Sequence, residues 1–225
     1  MTSFRKSSKF LLEDLAVPDY VRLLNGNKDY VKEKTKEDPD YFLKKSLTQT
    51  PKYFLIGCSD SRVPPNELTK TEPGEIFIHR NVANQVLCSD LNCMSTLQYA
   101  IEYLKVDHII VMGHTMCGGI KAAIACEPLG LIDQWLQHIR EVAVKHKKDL
   151  DKITDEKEFE LKLTELNVRE QALNLYKLTW VQKAMLERKV QIHGWVCDIE
   201  TGIIKELVLS RDEWDEIESY FKYDF

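Results

Sequence analysis

The chain has 225 residues, 44% of them hydrophobic and 30% charged, and its formal net charge is −5 at pH 7. This length and this balance favour one compact domain and argue against a disordered chain. Nucleic-acid binding needs a basic stripe, which an acidic chain does not supply, and no apolar stretch approaches the length of a membrane span. We therefore expect a partner that is neither nucleic acid nor membrane.

The first part of the chain, from Phe10 to Ser46, is polar with scattered apolar residues. Pro18, Gly26 and Pro39 are expected to divide it into two or three short helices. Because it has too few apolar residues for a core, we expect residues 1–46 to form a helical arm that packs on the main body or on a second subunit. Residues 47–225 are expected to form a single domain.

Two features bear on the cellular compartment. Basic residues near the start of the chain are typical of an organellar leader, but Glu13 and Asp14 follow at once and favour a cytoplasmic protein. Six cysteines without short regular spacing indicate reduced thiols and metal ligands rather than a disulfide framework.

Four segments are apolar almost continuously, which predicts short strands buried on both faces of a parallel sheet. They are Tyr53–Gly57, Glu75–His79, His108–Gly113 and Val190–Val196. Helical patterns lie between them, so we expect an α/β fold whose mostly parallel sheet is flanked by helices. The Thr201-Gly202 turn predicts an antiparallel edge strand, formed by pairing Ile203–Leu209 with Val190–Ile199.

Several helices can be bounded from the sequence. Ser89 and Asp90 are cap residues before a helix that extends to Leu104 on its apolar spacing. The region between Gly130 and Gly194 is free of glycine and proline, which predicts long helices, and Asp155 with Glu158 resembles a capping box after a break near Ile153. The charged run 145–149 is expected on a solvated helix face, and Trp214–Phe221 as a short final helix.

Metal-ligand residues follow two of the predicted strands. Cys58 comes directly after the first strand, and His114 and Cys117 follow the third. Parallel strands collect reactive groups at their carboxyl ends, so we expect these three residues to meet. Two thiolates and one imidazole suit zinc and leave a fourth position to fill, although each residue taken alone is more typical of a protein core.

Details of the same region refine the site. Cys117 begins a predicted helix, whose N-terminal amides are expected to lower its thiol pKa. Gly118 and Gly119 are expected to let the backbone approach closely at this turn. Asp60 either completes a closed site, or pairs with Arg62 and leaves the fourth position to water. A closed site would be structural or redox-sensitive, and an open site would be catalytic.

Three stretches together resemble the β-class carbonic anhydrases over about Gln49 to Leu209. They are Cys58-x-Asp60-x-Arg62, Arg80-Asn81-Val82-Ala83-Asn84 and His114-x-x-Cys117-Gly118-Gly119. The resemblance implies an enzyme with one Zn²⁺ per chain, held by Cys58, His114 and Cys117. Its reaction would be the reversible hydration of carbon dioxide to bicarbonate and a proton by attack of zinc-bound hydroxide. Asp60 and Arg62 would be the catalytic dyad.

The resemblance also implies a substrate pocket and an assembly. Gln49 would donate a hydrogen bond to bicarbonate from a partner subunit, Phe77 and Tyr99 would form an aromatic wall, and Val82 and Gly118 would complete the pocket. Members of the family are dimers or higher assemblies embraced by N-terminal helices. We therefore expect a homodimer or a dimer of dimers.

Two further expectations concern regulation and substrate. Some bacterial relatives have an inhibitory bicarbonate site, built from a tryptophan, a tyrosine and an arginine. Here Leu55 and Cys197 replace the first two, although Arg80 is present, so we expect no inhibition by bicarbonate. A few relatives with the same zinc site hydrolyse carbon disulfide or carbonyl sulfide, which is the alternative reaction.

The other four cysteines are Cys88, Cys93, Cys126 and Cys197. We expect them to be buried or free thiols. A second metal site at Cys88 and Cys93 is disfavoured, because no histidine stands near them at a ligand spacing.

Overall fold

The computed structural model describes residues 19–125, 127–209 and 219–225. Contacts divide the chain into two units, Met1–Thr48 and Gln49–Phe225. Three expectations fall outside the described residues: the part of the arm before Asp19, the state of Cys126, and most of the helix expected at Trp214–Phe221. Only the end of that last segment is described, as a 3₁₀ turn at Ser219–Phe221. Among the helices described, none is long and apolar enough to cross a bilayer.

The first unit contains two helices, α1 (Asp19–Glu37) and α2 (Tyr41–Leu47). The expected break at Gly26 is wrong, because α1 continues through it. A glycine inside a helix costs only about 1 kcal/mol relative to alanine, which its neighbours can offset. Pro39 does separate the two helices, as expected.

The second unit contains a five-stranded sheet in the order β2-β1-β3-β4-β5. The first four strands are parallel, and β5 pairs antiparallel with β4 at the edge. The strands are β1 (Tyr53–Cys58), β2 (Ile76–Asn81), β3 (His108–His114), β4 (Gln191–Cys197) and β5 (Ile204–Leu207). The predicted fold class is confirmed. Strands β1 and β3 each extend one residue further than predicted and so include Cys58 and His114 themselves.

Helices occupy the connections of this unit. They are α3 (Pro65–Thr69), α4 (Leu91–Gln98), α5 (Gly118–Ala125), α6 (Ile132–Lys145), α7 (Lys147–Leu150), α8 (Glu156–Tyr176) and α9 (Thr179–Arg188). Two shorter segments are a turn at Val82–Asn84 and a π turn at Tyr99–Tyr103. The helix predicted to reach Leu104 therefore ends as a regular α-helix at Gln98.

The core lies on both faces of the sheet, which explains why the strands are apolar at successive positions. Phe54 and Ile109 join one buried cluster with residues of α4, α8 and α9, whereas Leu55 and Ile110 join another on the opposite face. Side chains of a strand alternate between faces, so only a strand covered on both sides needs an unbroken apolar run.

Two predicted helix starts have their capping hydrogen bonds. The Asp90 carboxylate accepts from the Asn92 amide at 3.1 Å, and the Asp155 carboxylate accepts from the Glu158 amide at 2.8 Å. Each satisfies a backbone N–H that the first turn of a helix leaves without a partner. The start of α8, the longest helix described here, is therefore encoded locally.

The expectation that the charged run 145–149 lies on a solvated face is wrong for His146, which is only partly exposed, and confirmed for Lys145, which is exposed although it contacts a neighbouring helix. Lys145 Nζ and His146 Nε2 each lie 2.7 Å from an oxygen of Glu170, a buried residue of α8. Lys147 and Lys148 are exposed, as expected. The difference arises because α6 packs against α8 at this point, which a charge pattern alone does not reveal.

Candidate metal centre

The sheet brings the three predicted ligands to one edge. Strands β1 and β3 are adjacent and in register, with Gly57 opposite Met112, so Cys58 and His114 emerge side by side. Cys117 follows after a tight turn in which Met116 has a left-handed φ of 57°. The ligand atoms of Cys58, His114 and Cys117 lie within 4.8 Å of one another, and the two sulfur atoms are 4.0 Å apart.

His114 provides the test of whether a metal fits. Its side chain is fully buried, and Nδ1 donates a hydrogen bond to the Thr115 carbonyl at 2.9 Å. This tautomer leaves a lone pair on Nε2, which has no hydrogen-bond partner in the described part of the chain. A buried nitrogen without a partner is costly, whereas a metal ion beside two thiolates would satisfy it. The residues therefore fit zinc.

The two thiols influence each other strongly. A hydrogen bond from Cys117 stabilises the Cys58 thiolate and lowers the pKa of Cys58, whereas the same pairing and burial raise the pKa of Cys117. The backbone amides of Gly119 and Ile120 lower the pKa of Cys117, but by less than the pairing and burial raise it. The expected lowering of its pKa by the start of α5 is thus outweighed, because a second thiolate so close to the first is unfavourable without a cation.

Asp60 lies beside the ligand set and is held by Arg62. Arg62 Nε donates to Oδ1 at 2.9 Å, Nη2 donates to Oδ2 at 2.7 Å, and the Arg62 amide donates to Oδ1 at 2.9 Å. This pairing holds the pKa of Asp60 well below its usual range. Asp60 Oδ2 is 3.8 Å from His114 Nε2. The Asp60–Arg62 pairing that the open alternative requires is therefore present.

Arg80 fixes the loop that carries Asp60. Its guanidinium donates to the carbonyls of Cys58 at 2.7 Å, Asp60 at 2.6 Å and Val63 at 3.1 Å. The sequence suggested for Arg80 only a possible contact with bicarbonate. In the structure it supports the backbone of the first ligand and of the loop that follows it.

The two glycines after Cys117 differ in what surrounds them. A Cβ on Gly119 would lie 3.0 Å from Val82 Cγ1 and 3.1 Å from Ala83 Cβ, whereas a Cβ on Gly118 would have nothing within 4 Å. The expectation of a close approach is therefore confirmed for Gly119 and wrong for Gly118. Val82, a predicted pocket residue, packs directly against this turn.

The other predicted pocket residues lie in two places. Phe77 and Tyr99 have ring centroids 5.8 Å apart, and Phe77 also packs on Phe54 at 6.0 Å. Tyr99 is nevertheless 44% exposed, so one side of this aromatic group remains open. Gln49 is exposed in the segment between α2 and β1.

Sequence reasoning missed a backbone contribution to the site. The Ala83 amide donates to Cys58 Sγ at 3.4 Å, from the turn that follows β2. Ala83 and Asn84 have left-handed φ values of 59° and 49°. No residue type announces such a bond, because almost every residue carries an amide hydrogen.

Sequence reasoning also missed a second cluster of ligand-type residues. His79, Asp90 and Cys93 have ligand atoms within 4.8 Å of one another, although no histidine stands at a ligand spacing near Cys88 and Cys93 in the sequence. The register of β2 brings His79 there from a distance in sequence. Burial raises the pKa of Cys93 to about 12, and Asp90 already caps α4, so the cluster has the character of core and cap.

Comparison with known proteins places this geometry in context. A family model described as carbonic anhydrase matches residues 53–204. A carbonic anhydrase of Emericella nidulans is 43% identical over 187 residues, which cover 83% of this chain and 82% of that protein.

Solved structures are similar as well. A β-carbonic anhydrase of Sordaria macrospora, described as tetrameric, has a TM-score of 0.82 at 37% identity and covers 84% of this chain and 96% of its own. The Coccomyxa β-carbonic anhydrase, solved with acetazolamide, has a TM-score of 0.80 at 38% identity and covers 84% of this chain and 86% of its own.

Proposed function

Because this chain belongs to the β-class carbonic anhydrase family, we propose that Cys58, His114 and Cys117 hold the zinc ion with which it hydrates carbon dioxide reversibly to bicarbonate and a proton. The observation that carries the assignment of these residues is the buried His114 Nε2, without a hydrogen-bond partner among the described residues and beside two sulfur atoms. Zinc bound there supplies a water of lowered pKa as the nucleophile near neutral pH.

Asp60 is the residue that accepts a hydrogen bond from the attacking water. Its Oδ2 is the carboxylate oxygen next to the ligand set, and Arg62 keeps the group ionised and therefore able to accept. Arg62 Nη2 also donates to the Met116 carbonyl at 3.3 Å, which ties the loop after β1 to the loop after β3. The dyad thus aims the nucleophile, which is the positional part of catalysis.

The substrate is a small linear molecule of low polarity, and the surrounding residues suit it. Val82 and Gly118 border the ligand turn, and Phe77 and Tyr99 offer an aromatic wall. Gln49 supplies an amide donor for bicarbonate in the site of a partner subunit. Its exposure on this chain is the feature that supports this role.

This enzyme is not inhibited by bicarbonate at a separate site. Leu55 and Cys197 are buried in one apolar cluster where the inhibited relatives carry aromatic residues. Arg80 is engaged by three backbone carbonyls of the loop 58–63. Neither the aromatic groups nor a free guanidinium is then available to hold a second anion.

The assembly is a homodimer or a dimer of dimers. Helices α1 and α2 contain no buried residue in the described chain, yet they expose several large apolar side chains. The Sordaria relative is described as tetrameric. A cytoplasmic location, expected from the acidic residues near the N-terminus, remains a prediction.

The decisive experiment is stopped-flow measurement of carbon dioxide hydration, using protein whose zinc content per chain is known. We expect rapid hydration with one zinc per chain, loss on chelation, recovery with added zinc and inhibition by acetazolamide. Zinc-loaded protein without hydration would reject the proposal. Carbon disulfide and carbonyl sulfide would then be assayed as substrates of the same site.

A further inference from the structure

One peptide bond links α6 to the first zinc ligand. The amide of Ala83 donates to Cys58 Sγ at 3.4 Å, and the carbonyl of Val82, at the other end of the same peptide bond, accepts from Trp135 Nε1 at 2.8 Å. An accepted hydrogen bond polarises a peptide and strengthens the bond that its N–H donates. The indole of Trp135 therefore acts on the Cys58 sulfur through a single rigid group.

The next peptide bond is held from α8. The Ala83 carbonyl accepts from Asn167 Nδ2 at 3.1 Å and from Gln85 Nε2 at 2.7 Å. Asn167 Oδ1 in turn accepts from Gln85 Nε2 at 2.9 Å and from Gln171 Nε2 at 3.2 Å. All three side chains are at most 2% exposed. Such a buried network fixes its members in one arrangement.

These hydrogen bonds stabilise a backbone segment whose conformation is unfavourable by itself. Ala83 has φ 59° and ψ 34°, and Asn84 also has a positive φ. Residues other than glycine keep left-handed conformations only where their surroundings impose them, and such places cluster at functional sites. With φ and ψ of Ala83 set from both sides, its N–H can point only at Cys58.

We propose that Trp135 and Asn167 are positioning residues of the metal centre, which hold the peptide bonds on either side of Ala83 so that the Ala83 N–H stabilises the Cys58 thiolate. The inference rests on the proposed function, since it concerns the same ligand. Hydrogen bonds to a metal ligand orient it and set its donor strength, and losing one typically weakens metal binding or activity about 10- to 100-fold.

The experiment uses Trp135→Phe, which removes the indole N–H and keeps an aromatic ring. In the cobalt-substituted protein we expect the thiolate-to-cobalt charge-transfer absorption to move to longer wavelength, because sulfur electrons that are less stabilised are transferred more easily. The dissociation constant of zinc, measured by competition with a chelator, should rise about tenfold. Asn167→Leu should shift the absorption band and the zinc dissociation constant in the same directions but by less, because Gln85 still holds the Ala83 carbonyl.

Trp180→Phe is the matched control. Its indole N–H is buried and has no hydrogen-bond partner in the described part of the chain, so the change removes the same atoms without removing a bond. We expect its cobalt spectrum and zinc affinity to equal those of the wild type. An equal shift in Trp180→Phe and Trp135→Phe would overturn the proposal, since it would indicate general loosening of the core.

Other outcomes separate this proposal from the proposed function. Variants at Trp135 and Asn167 with the wild-type absorption band and zinc affinity would overturn the positioning role and leave the ligand set intact. If Trp135→Phe does not fold, Asn167→Leu decides by the same criteria. A wild-type cobalt protein without any thiolate charge-transfer band would instead overturn the ligand set itself.

Discussion

Asp60 shows how a single side chain is kept in one charge state and one orientation. Three hydrogen bonds from Arg62 reach its two oxygens, so the carboxylate is ionised and cannot turn freely. A lysine could not provide this arrangement, because its ammonium is a point charge without the planar pair of donors. Both the charge and the direction of the Oδ2 lone pairs therefore depend on this one neighbour.

Replacing Asp60 by asparagine should separate catalysis from metal binding. Asp60→Asn puts a neutral amide where an anionic acceptor is needed, so we expect kcat/KM for hydration to fall roughly 100-fold or more. Zinc content should stay at the wild-type value, because the three ligands are unchanged. Stopped-flow kinetics and metal analysis on the same preparation measure both quantities.

The control for this prediction is a second aspartate paired with an arginine. Asp133 lies 3.4 Å from Arg140 Nη2 on α6, so Asp133→Asn changes a similar pair outside the dyad. We expect it to keep wild-type activity. Loss of zinc from Asp60→Asn would contradict the open arrangement and identify Asp60 as a ligand.

At the scale of elements, the start of α5 is fitted tightly against the turn that follows β2. A methyl group on Gly119 would press on Val82 and Ala83 and require them to shift, whereas Gly118, one residue earlier, faces open space. Adjacent positions of the same helix thus differ in what an added methyl group would cost. The contact matters because the same turn carries the amide that reaches Cys58.

This difference predicts opposite effects of two alanine substitutions. Gly119→Ala should destabilise the protein by about 1–3 kcal/mol, because the methyl group overpacks the turn. Gly118→Ala should have no cost or stabilise by about 0.5–1 kcal/mol, because alanine is the better helix former. Urea unfolding of both zinc-loaded variants at one protein concentration measures the free energies. Equal values for the two would refute the packing argument.

The contact between α6 and α8 predicts a dependence of stability on pH. Burial raises the pKa of Glu170, but hydrogen bonds and charges from Lys145 and His146 outweigh it, so the pKa lies below its ordinary value of 4.5. A carboxylate of lowered pKa contributes stability above its unfolded pKa and loses it as the pH falls through the folded value. Glu170 therefore stabilises the fold at neutral pH.

Glu170→Gln should cost about 1–3 kcal/mol of unfolding free energy at pH 7, because Lys145 and His146 lose the ionised acceptor of their hydrogen bonds. The difference from the wild type should shrink as the pH falls below 4.5. Denaturant unfolding at pH 7 and below pH 4.5 measures it. Glu187→Gln, at an exposed pair with Lys183, is the control and should change the free energy by less than about 0.5 kcal/mol. A pH-independent cost for Glu170→Gln would contradict the argument.

The sequence predicted what depends on burial and local chemistry. Strands β1 and β3 were recognisable because both faces are covered, and the start of α8 because Asp155 caps it. The sequence could not predict contacts between residues that are distant in the chain, such as the proximity of His79 to Cys93 or the hydrogen bond between His146 and Glu170. The break expected at Gly26 failed for another reason, since a single unfavourable residue does not outweigh the helix around it.

At the scale of the whole molecule, the first unit has more apolar surface than its own helices cover. Tyr20, Leu23, Leu24 and Val31 follow helical spacing and so share one face of α1, and all are exposed. Such a face is unfavourable in water and favours burial against another subunit. This argues that the assembly depends on α1.

A charge placed on that face should weaken the assembly. Leu23→Glu removes a leucine that is 62% exposed in the single chain and would place a carboxylate in the expected interface. We expect light scattering after size-exclusion chromatography to show a lower mass than for the wild type at equal concentration. Asn25→Glu, on the opposite side of α1, adds the same charge and should keep the wild-type mass. Equal masses for all three proteins would exclude this face from the interface.

The adjacency of β1 and β3 has a consequence for biosynthesis. A ribosome releases the chain from its N-terminus, so Cys58 emerges well before His114 and Cys117. Because β1 and β3 pair across a long crossover, the complete ligand set forms only after the later strand has docked. Until then Cys58 is a solitary thiol, open to oxidation and with no metal to protect it. Synthesis under oxidising conditions should therefore yield zinc-deficient protein, even where zinc is plentiful.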